Sequence, residues 1–390
     1  MNLLAHADDP PHPYLATLLA DAHALVAAVH AGHPTRVDVD DARTASLRAT
    51  LLLDGSDVDD ATIAAVERQP PGGAGGHQAA MPAGVGSWLD ALGTQSIDDD
   101  TAAEIGAREI RGAAAAFDAD DLAAPLRESP REALQQLHGR LVAELVDPSG
   151  HGALRTTDQA VLDTSVGRVV YYPVDPAAIE SALDALARWL TASTRRPFIT
   201  AGLVHLELLR IHPFESANGR LARAAARLLL RAEGNDPYRL AQPEIALAAN
   251  RLTYHERLAA TLRRREPSRW LELWLEALTA GLAAQARRLG QIDVDVADRA
   301  RAFVRQRRAR GDDAAQTFSI ADYRQNAGVD RDQAEADLAA LLLAGHVDRV
   351  LGTSGLRFVI RDTAGAGADE RSIQASRISP PRTSAGTPPR

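Results

Sequence analysis

The strongest constraint on the fold is a pair of apolar segments, residues 197–211 and 219–232, that are separated by a short loop. Both segments have the length and composition of helices, and Gly234 supplies a stop signal after the second one. The sequence therefore predicts two helices joined by one loop, which begins at His212 and ends at Arg220.

Most of the chain should be helical because its apolar content is mainly Ala, Leu and Val. Hydrophobic residues make up 45% of the 390 residues but aromatic residues only 4%, so core contacts should come from helix faces. The absence of cysteine excludes disulfides and thiolate metal sites. All 43 basic residues are arginine, so any phosphate group must be held by arginine side chains and backbone N–H groups.

The composition also indicates a soluble, cytoplasmic protein without a membrane partner. The N-terminus carries Asp8 and Asp9 where a signal peptide would need a basic start. Charged residues interrupt each apolar segment before the roughly 18 residues that would span a bilayer. The net charge of −9 argues against a protein that coats nucleic acid.

Composition shifts divide the chain into four predicted regions. Residues 1–90 form an N-terminal helical region that ends in a glycine-rich connector, and residues 91–290 form a helical core with a β-hairpin flap at residues 161–173. Residues 300–362 have the outline of a winged helix-turn-helix. Residues 363–390 form a tail rich in Ser, Pro, Gly and Thr, which we expect to be disordered.

The second helix of the winged region carries Arg331, Asp332, Glu335 and Asp337, a net negative set. A recognition helix that enters the major groove usually presents Arg, Lys, Asn or Gln. Protein docking or dimerisation is therefore favoured over DNA binding, while a homodimer and DNA both stay open as partners.

The loop between the apolar helices combines several groups that bind phosphate. Gly219 lets a ligand approach the backbone, and the N–H groups and dipole at the start of the second helix favour an anion. Arg220 and Arg223 add forked donors suited to phosphate oxygens. His212, with an ordinary pKa near roughly 6.5, can take a proton from an attacking hydroxyl.

The loop sequence H-P-F-E-S-A-N-G-R, followed by Arg223, resembles the signature H-P-F-x-[D/E]-G-N-G-R-x-x-R of the Fic (filamentation induced by cAMP) family. The similarity covers about residues 134–274 and implies a mainly α Fic fold. It also implies transfer of AMP from ATP to a Ser, Thr or Tyr hydroxyl of a target protein. The flap, with Gly167, Val169 and Tyr171, would align the target chain by strand pairing.

The same resemblance implies a role for each residue of the signature. His212 would be the general base that deprotonates the target hydroxyl. Asn218, Gly219 and Arg220 would form the anion hole for the α- and β-phosphates, and Arg223 would hold the γ-phosphate. By the same pattern the phenylalanine of the loop would anchor it in the core.

A second resemblance lies at residues 50–55, T-L-L-L-D-G, which are similar to the family's inhibitory motif [S/T]-x-x-x-E-[G/N]. In the family the glutamate pairs with the second arginine of the loop and blocks the γ-phosphate site. The resemblance implies that Thr50 and Asp54 belong to an inhibitory helix and that Asp54 pairs with Arg223. The aspartate side chain is one methylene shorter than the family's glutamate.

Two loop positions depart from the family signature. Ser216 stands where the family has the acid that binds Mg²⁺, and Ala217 replaces a glycine. A serine hydroxyl is a poor Mg²⁺ ligand compared with a carboxylate, and the carboxylate of Glu215 is shifted by one residue. Three hypotheses therefore stay open. The first is AMP transfer regulated through Asp54, and the second is a degenerate relative that binds nucleotide and acts as a regulator or DNA-binding scaffold. The third is a DNA-binding regulator that uses the winged helix.

Overall fold

The computed structural model describes residue 4 and residues 13–69, 99–163, 168–193, 196–291, 296–310, 317–352 and 355–360. The chain divides into two compact units, Met1–Asp293 and Val294–Arg390. The described part is mainly helical, which confirms the predicted fold class. The predicted glycine-rich connector and C-terminal tail lie outside the described residues.

In its described residues, the first unit contains helices and a hairpin of two short strands. Its helices are α1 (Pro13–Ala31), α2 (Arg36–Leu53), α3 (Asp60–Arg68), α4 (Asp99–Phe117), α5 (Pro125–Glu128), α6 (Pro130–Val142), α7 (Ile179–Ala192), α8 (Pro197–Ile211), α9 (Asn218–Ala232), α10 (Pro243–Ala249), α11 (Arg251–Arg264) and α12 (Ser268–Arg288). Its strands are β1 (Val161–Asp163) and β2 (Arg168–Tyr171).

The two apolar helices α8 and α9 pack along each other and are covered by other helices on several sides. Helices α2, α4 and α6 pack against α9, whereas α7 and α12 pack against α8. Leu203 and Leu206 of α8 and Leu221 and Ala225 of α9 have no exposed surface. The loop between these helices is therefore attached at both ends to the most closely packed part of the unit.

Two tryptophans of α12 fix the position of α8. Trp270 and Trp274 are buried, and their indole N–H groups donate to the carbonyl oxygens of Gly202 (2.7 Å) and Phe198 (2.9 Å). A Cβ atom at Gly202 would lie 2.5 Å from Cδ1 of Trp274, which is closer than two carbon atoms can approach. Both tryptophans therefore anchor α8 to α12 in the core.

Helix α2 packs against α4, α9 and α10, and its last turn faces α9. After the helix, Gly55 has a φ of 97°, and the N–H of Ser56 donates to the carbonyl of Leu51 at 3.0 Å. This closure is typical of a helix that ends at a glycine. The turn presents Thr50 and Asp54 to α9, where both side chains contact Arg223.

Helix α1 is an exception to the expectation that charged residues interrupt every apolar segment before it is long enough to span a bilayer. Within it, Tyr14–Ala31 is the one segment of the described residues that is long and apolar enough to cross a membrane, with a mean hydropathy of 1.4. Asp21 is its single acidic residue. In the structure Leu15, Leu18 and Leu25 are buried and α1 packs against α12, so the helix contributes to the core of the first unit.

The described part of the second unit combines three helices with an antiparallel sheet. Its helices are α13 (Asp298–Arg310), α14 (Ile320–Ala327) and α15 (Arg331–Leu343), and its strands are β3 (Thr317–Phe318), β4 (Val347–Gly352) and β5 (Gly355–Ile360), in the order β3-β5-β4. Phe303, Phe318 and Phe358 meet in its core, with ring centroids 4.8 and 5.6 Å apart. The winged helix assignment itself stays a prediction.

One acidic residue of α15 does not contribute to the negative surface that the sequence indicated. Asp337 is buried, and its Oδ2 accepts hydrogen bonds from Nε of Arg299 (2.7 Å) and from the hydroxyl of Tyr323 (2.7 Å). The pairing neutralises the carboxylate inside the unit. The exposed face of α15 is therefore less acidic than its sequence.

Substitution of Gly202 tests the packing that positions α8. The Gly202→Ala change should lower the free energy of unfolding by about 1–3 kcal/mol, because the added methyl group overlaps the Trp274 indole. Gly106→Ala in α4 is the matched control, since no atom lies within 4 Å of the position that its Cβ would take. There alanine should raise the free energy of unfolding by about 0.5–1 kcal/mol. Chemical denaturation measures both, and an unchanged stability of the Gly202 variant would contradict this packing.

Candidate functional site

The loop between α8 and α9 turns sharply at both ends. His212, directly after α8, has a φ of 51°, and Ala217, directly before α9, has a φ of 59°. Both values lie in the left-handed region, which costs a residue with a Cβ about 1–2 kcal/mol. The conformation at Ala217 explains why the family signature has glycine there, and the alanine of this chain adopts it at that cost.

Asn218 and Phe214 tie the two ends of the loop together. The side chain of Asn218 accepts a hydrogen bond from the backbone N–H of Phe214 (3.1 Å) and donates one to its carbonyl oxygen (2.8 Å). The Phe214 ring is fully buried and stacks on His138, with ring centroids 3.9 Å apart. The amide of Asn218 is therefore used inside the loop, which leaves its backbone N–H as the group that faces an anion.

Arg155 holds the loop from the other side. Its buried side chain donates from Nε to the carbonyl of His212 (2.6 Å) and from Nη2 to the carbonyl of Ile211 (3.3 Å). Its backbone N–H donates to the carbonyl of Pro213 (2.9 Å). A positive charge at these carbonyls also stabilises the C-terminal end of α8. This role of Arg155 was not predicted from the sequence. Arg155 and His212 are 57 positions apart, and a single arginine in a turn belongs to no recognisable motif.

His212 is nearly enclosed and electrically neutral at pH 7. Burial, together with the positive charge of Arg155, lowers its pKa to about 3. The Tyr171 hydroxyl donates its proton to the carbonyl of Leu209 (2.8 Å), so its oxygen is left as an acceptor towards Nδ1 of His212, 3.4 Å away. Nδ1 then carries the ring proton, and Nε2 is the nitrogen that can accept a proton.

Asp54 lies between the two arginines of the loop. Its Oδ1 is 2.6 Å from Nη2 of Arg223, and its Oδ2 is 3.0 Å from Nε of Arg220. The resemblance implied a pair with Arg223 alone, whereas the structure adds Arg220. The exposed fractions of the two arginine side chains are only 2% and 4%, so a buried positive charge on each is compensated by the same carboxylate.

Arg223 also binds the last turn of α2 directly. Its Nε donates to Oγ1 of Thr50 (2.6 Å), and its Nη2 donates to the carbonyl oxygen of Thr50 (2.9 Å). Together with Asp54, these contacts use one face of the guanidinium fork. Thr50 and Asp54, the two residues predicted for an inhibitory helix, are therefore both in contact with Arg223.

A second carboxylate, Glu109 of α4, reaches the same cluster. Its Oε1 lies 3.1 Å from Nη2 of Arg220, and its side chain is buried. Burial by itself would lower the pKa of Arg220, but the charges of Glu109 and Asp54 outweigh burial and raise that pKa. Glu109 was not predicted as a site residue, because this glutamate lies 111 positions from Arg220 on a helix without a motif.

Gly219 allows the carboxylate of Asp54 to lie against the first turn of α9. A Cβ atom at Gly219 would be 2.9 Å from Oδ1 of Asp54. The first N–H groups of a helix have no acceptor within the helix, and the helix dipole favours negative charge beside them. Asp54 therefore occupies the place where the loop is built to hold an anion.

The residues beside the loop do not fit a Mg²⁺ ion held by an acid. Ser216 is buried and uncharged. The carboxylate of Glu215 is bound by other donors: it accepts hydrogen bonds from the backbone N–H of Thr156 (3.2 Å), Oγ1 of Thr157 (3.0 Å) and Nε2 of Gln159 (3.2 Å). Within the described ranges, no group of three or more histidine, aspartate or glutamate residues is arranged to hold a metal ion.

The flap lies beside His212 and exposes apolar side chains. Strands β1 and β2 pair antiparallel, with Leu162 opposite Val169 and Val161 opposite Tyr171. The exposed fraction is 50% for Leu162 and 38% for Val169. Tyr171 points inward to His212, so it belongs to the surroundings of the imidazole. Gly167, which was predicted as part of the flap, lies outside the described residues.

Part of this chain is similar to known proteins. Residues 128–230 match the model of the Fic/DOC family. A stretch of 105 residues is 31% identical to the protein adenylyltransferase fic-1 of Caenorhabditis elegans, and the match covers 26% of this chain and 19% of the relative's length. The chain therefore spans about a fifth of that relative.

Two solved structures are similar to the whole of the fold or to much of it. The crystal structure of a Fic family protein from Desulfovibrio desulfuricans has a TM-score of 0.56 at 18% identity, over 90% of this chain and 98% of that one. The structure of Fic-1 from C. elegans has a TM-score of 0.48 at 17% identity, over 70% and 71% of the two chains. The family match, the loop and the fold of the Desulfovibrio protein lead to one conclusion: residues 128–230 of this chain form a Fic/DOC family domain.

Proposed function

We propose that this protein is a protein adenylyltransferase, which transfers AMP from ATP to a Ser, Thr or Tyr hydroxyl of a target protein and is inhibited by Asp54. One observation carries the proposal: a carboxylate lies against Gly219 and pairs with both Arg220 and Arg223. These donors suit phosphate oxygens as well as carboxylate oxygens. The activity named for the C. elegans relative supports the reaction class.

In the proposed reaction, Nε2 of His212 accepts the proton of the target hydroxyl. The hydroxyl oxygen attacks the α-phosphorus of ATP and forms a new P–O bond, while the bond from the α-phosphorus to the α,β-bridging oxygen breaks. Pyrophosphate leaves with that electron pair. Arg220 and the first N–H groups of α9 would bind the α- and β-phosphates, and Arg223 would bind the γ-phosphate.

The nucleotide itself would bring His212 into the range of a working base. In the structure burial and Arg155 hold its pKa at about 3, which is low for proton abstraction near pH 7. A triphosphate beside the imidazole places several negative charges close to it. Nearby negative charge favours the protonated form and raises the pKa, so the base strength of His212 should increase when ATP is bound.

The flap would hold the target chain beside His212. Leu162 and Val169 expose apolar surface on paired strands, and a strand edge can pair with an extended segment of another protein. The backbone of the target would then run next to the imidazole. This arrangement would select an extended segment and leaves the identity of the target open.

Asp54 would inhibit the reaction by competing with the nucleotide for the two arginines. The carboxylate is attached to a packed helix, so its local concentration at the arginines is on the order of millimolar or higher. Because it pairs with Arg220 as well as Arg223, it would oppose binding of the α- and β-phosphates as well as the γ-phosphate. Inhibition would therefore act on nucleotide affinity itself.

A second candidate function is nucleotide binding without efficient transfer, in a protein that acts as a regulator or scaffold. The specific observation that favours it is the position of Ser216, together with the use of Glu215 by Thr156, Thr157 and Gln159. Phosphoryl and nucleotidyl transfer usually need a cation to offset the charge that develops on the phosphates. Both candidates share the binding step and differ in the transfer step.

Removal of the Asp54 carboxylate should expose the nucleotide site. The Asp54→Ala variant should bind ADP at least about tenfold more tightly than the unmodified protein, because the competing anion is gone. Isothermal titration calorimetry measures both dissociation constants. The variant should also be less stable by about 1–3 kcal/mol, since two buried arginines lose a partner, and ADP should restore stability more than it does in the unmodified protein.

Asp40→Asn is the matched control for this experiment. Asp40 is an exposed aspartate of the same helix, paired at the surface with Arg36. Its substitution should leave ADP affinity unchanged. If Asp54→Ala and Asp40→Asn have the same ADP affinity as the unmodified protein, Asp54 does not compete with the nucleotide.

Transfer of label from α-³²P-ATP tests the reaction and separates the two candidate functions. Asp54→Ala should label itself or proteins of a cell extract at least about tenfold more than the unmodified protein, and Asp54→Ala/His212→Ala should lose that labelling. If Asp54→Ala binds ATP but labels nothing, whereas Asp54→Ala/Ser216→Asp does label, the second candidate is correct and the proposal of an active transferase fails.

A further inference from the structure

We propose that the phosphate cradle, defined as Gly219, Arg220 and Arg223, takes its nucleotide as the metal-free anion. The two arginines would supply the positive charge that an acid-bound Mg²⁺ supplies in the family signature. The inference rests on the proposed nucleotide binding and is independent of AMP transfer.

The loop residue at the metal position of the family signature, Ser216, is a poor ligand for Mg²⁺. Mg²⁺ prefers charged oxygen ligands in nearly octahedral geometry and gives up its waters reluctantly. Ser216 offers one neutral hydroxyl and is only 3% exposed, so it contributes no negative charge that would hold a metal ion. The loop therefore lacks the ligand that would hold Mg²⁺ at this point.

The neighbouring carboxylate does not replace the missing acid. Three donors hold the Glu215 carboxylate: the Thr156 N–H, the Thr157 hydroxyl and the Gln159 amide, which lie 3.0–3.2 Å from its oxygens. The Gln159 amide also donates to the backbone carbonyl of Glu215 at 3.0 Å. Turning the carboxylate to the cradle would break these bonds, and each would cost about 0.5–1.5 kcal/mol.

Arg220 has N–H donors that none of the described residues uses. Its side chain is 2% exposed, yet among the described residues neither its Nη1 nor its Nε has a hydrogen-bond partner, and Nε is joined to Asp54 as an ion pair at 3.0 Å. Glu109 holds Nη2 at 3.1 Å, so the guanidinium is fixed in orientation while Nη1 stays available. A buried donor without a partner is costly, and a phosphate oxygen in the cradle would satisfy it.

Positive charge remains in the cradle when a nucleotide displaces Asp54. Arg220 and Arg223 carry two positive charges, and Glu109, buried on α4, retains one negative charge. The cradle then has a net charge of about +1, to which the N-terminus of α9 adds roughly half a positive charge. This field attracts the anionic nucleotide. The arginines thereby place beside the phosphates a positive charge that a metal ion would otherwise supply.

The test compares ADP binding with and without metal in the Asp54→Ala variant. Calorimetric titrations are run with ADP in EDTA and with ADP in millimolar Mg²⁺. ADP should bind in EDTA, and Mg²⁺ should leave its affinity unchanged or weaken it by about threefold or more, since the metal occupies phosphate oxygens that the arginines need. Binding that requires Mg²⁺ overturns the inference and leaves the proposed function intact.

Two further variants provide matched controls at the metal position. Asp54→Ala/Ser216→Asp restores the family's acid, so Mg²⁺ should now tighten ADP binding by about tenfold. Asp54→Ala/Ser216→Asn has nearly the same size without the charge and should behave like Asp54→Ala. Thermal denaturation verifies that each variant is folded. The inference is wrong if Mg²⁺ tightens ADP binding equally in Asp54→Ala and in Asp54→Ala/Ser216→Asp. It is also wrong if Asp54→Ala binds ADP neither in EDTA nor in Mg²⁺. This last result would refute the proposed function as well.

Discussion

The guanidinium groups of Arg220 and Arg223 lie almost fully inside the protein, and a buried positive charge requires a negative charge close to it. In the structure Asp54 meets this requirement for both groups at once, at 3.0 and 2.6 Å. A phosphate group meets the same requirement with more acceptor oxygens. The proposed inhibition, nucleotide binding and metal-free recognition thus follow from competition between two anions for the same pair of arginines.

This competition depends on a loop whose shape is fixed by its own contacts. The loop is closed by the amide of Asn218, anchored by the Phe214 ring and capped from outside by the guanidinium of Arg155. Both flanking helices belong to the core, so the two ends of the loop are anchored in closely packed helices. The positions of Arg220 and of the imidazole of His212 are therefore set before any nucleotide arrives, which reduces the ordering that binding requires.

The sequence predicted the mainly α fold, the two core helices and the loop, because each of these is encoded by residues that are adjacent in the chain. It also identified Asp54 through a short motif at a helix end, but it paired the carboxylate with one arginine, since a local pattern does not show how far a side chain reaches. Glu109 and Arg155 were missed because their contacts join positions 111 and 57 residues apart. Such contacts are set by helix packing, which leaves no periodicity or motif in the sequence.

A crystal structure of the Asp54→Ala variant with bound ADP tests the central claim most directly. The account predicts that a phosphate oxygen takes the place of the Asp54 carboxylate, within hydrogen-bond distance of Arg220, Arg223 and the backbone N–H groups at Gly219. The claim is contradicted if the arginines turn away to other partners, or if ADP binds elsewhere and leaves the first turn of α9 without an anion.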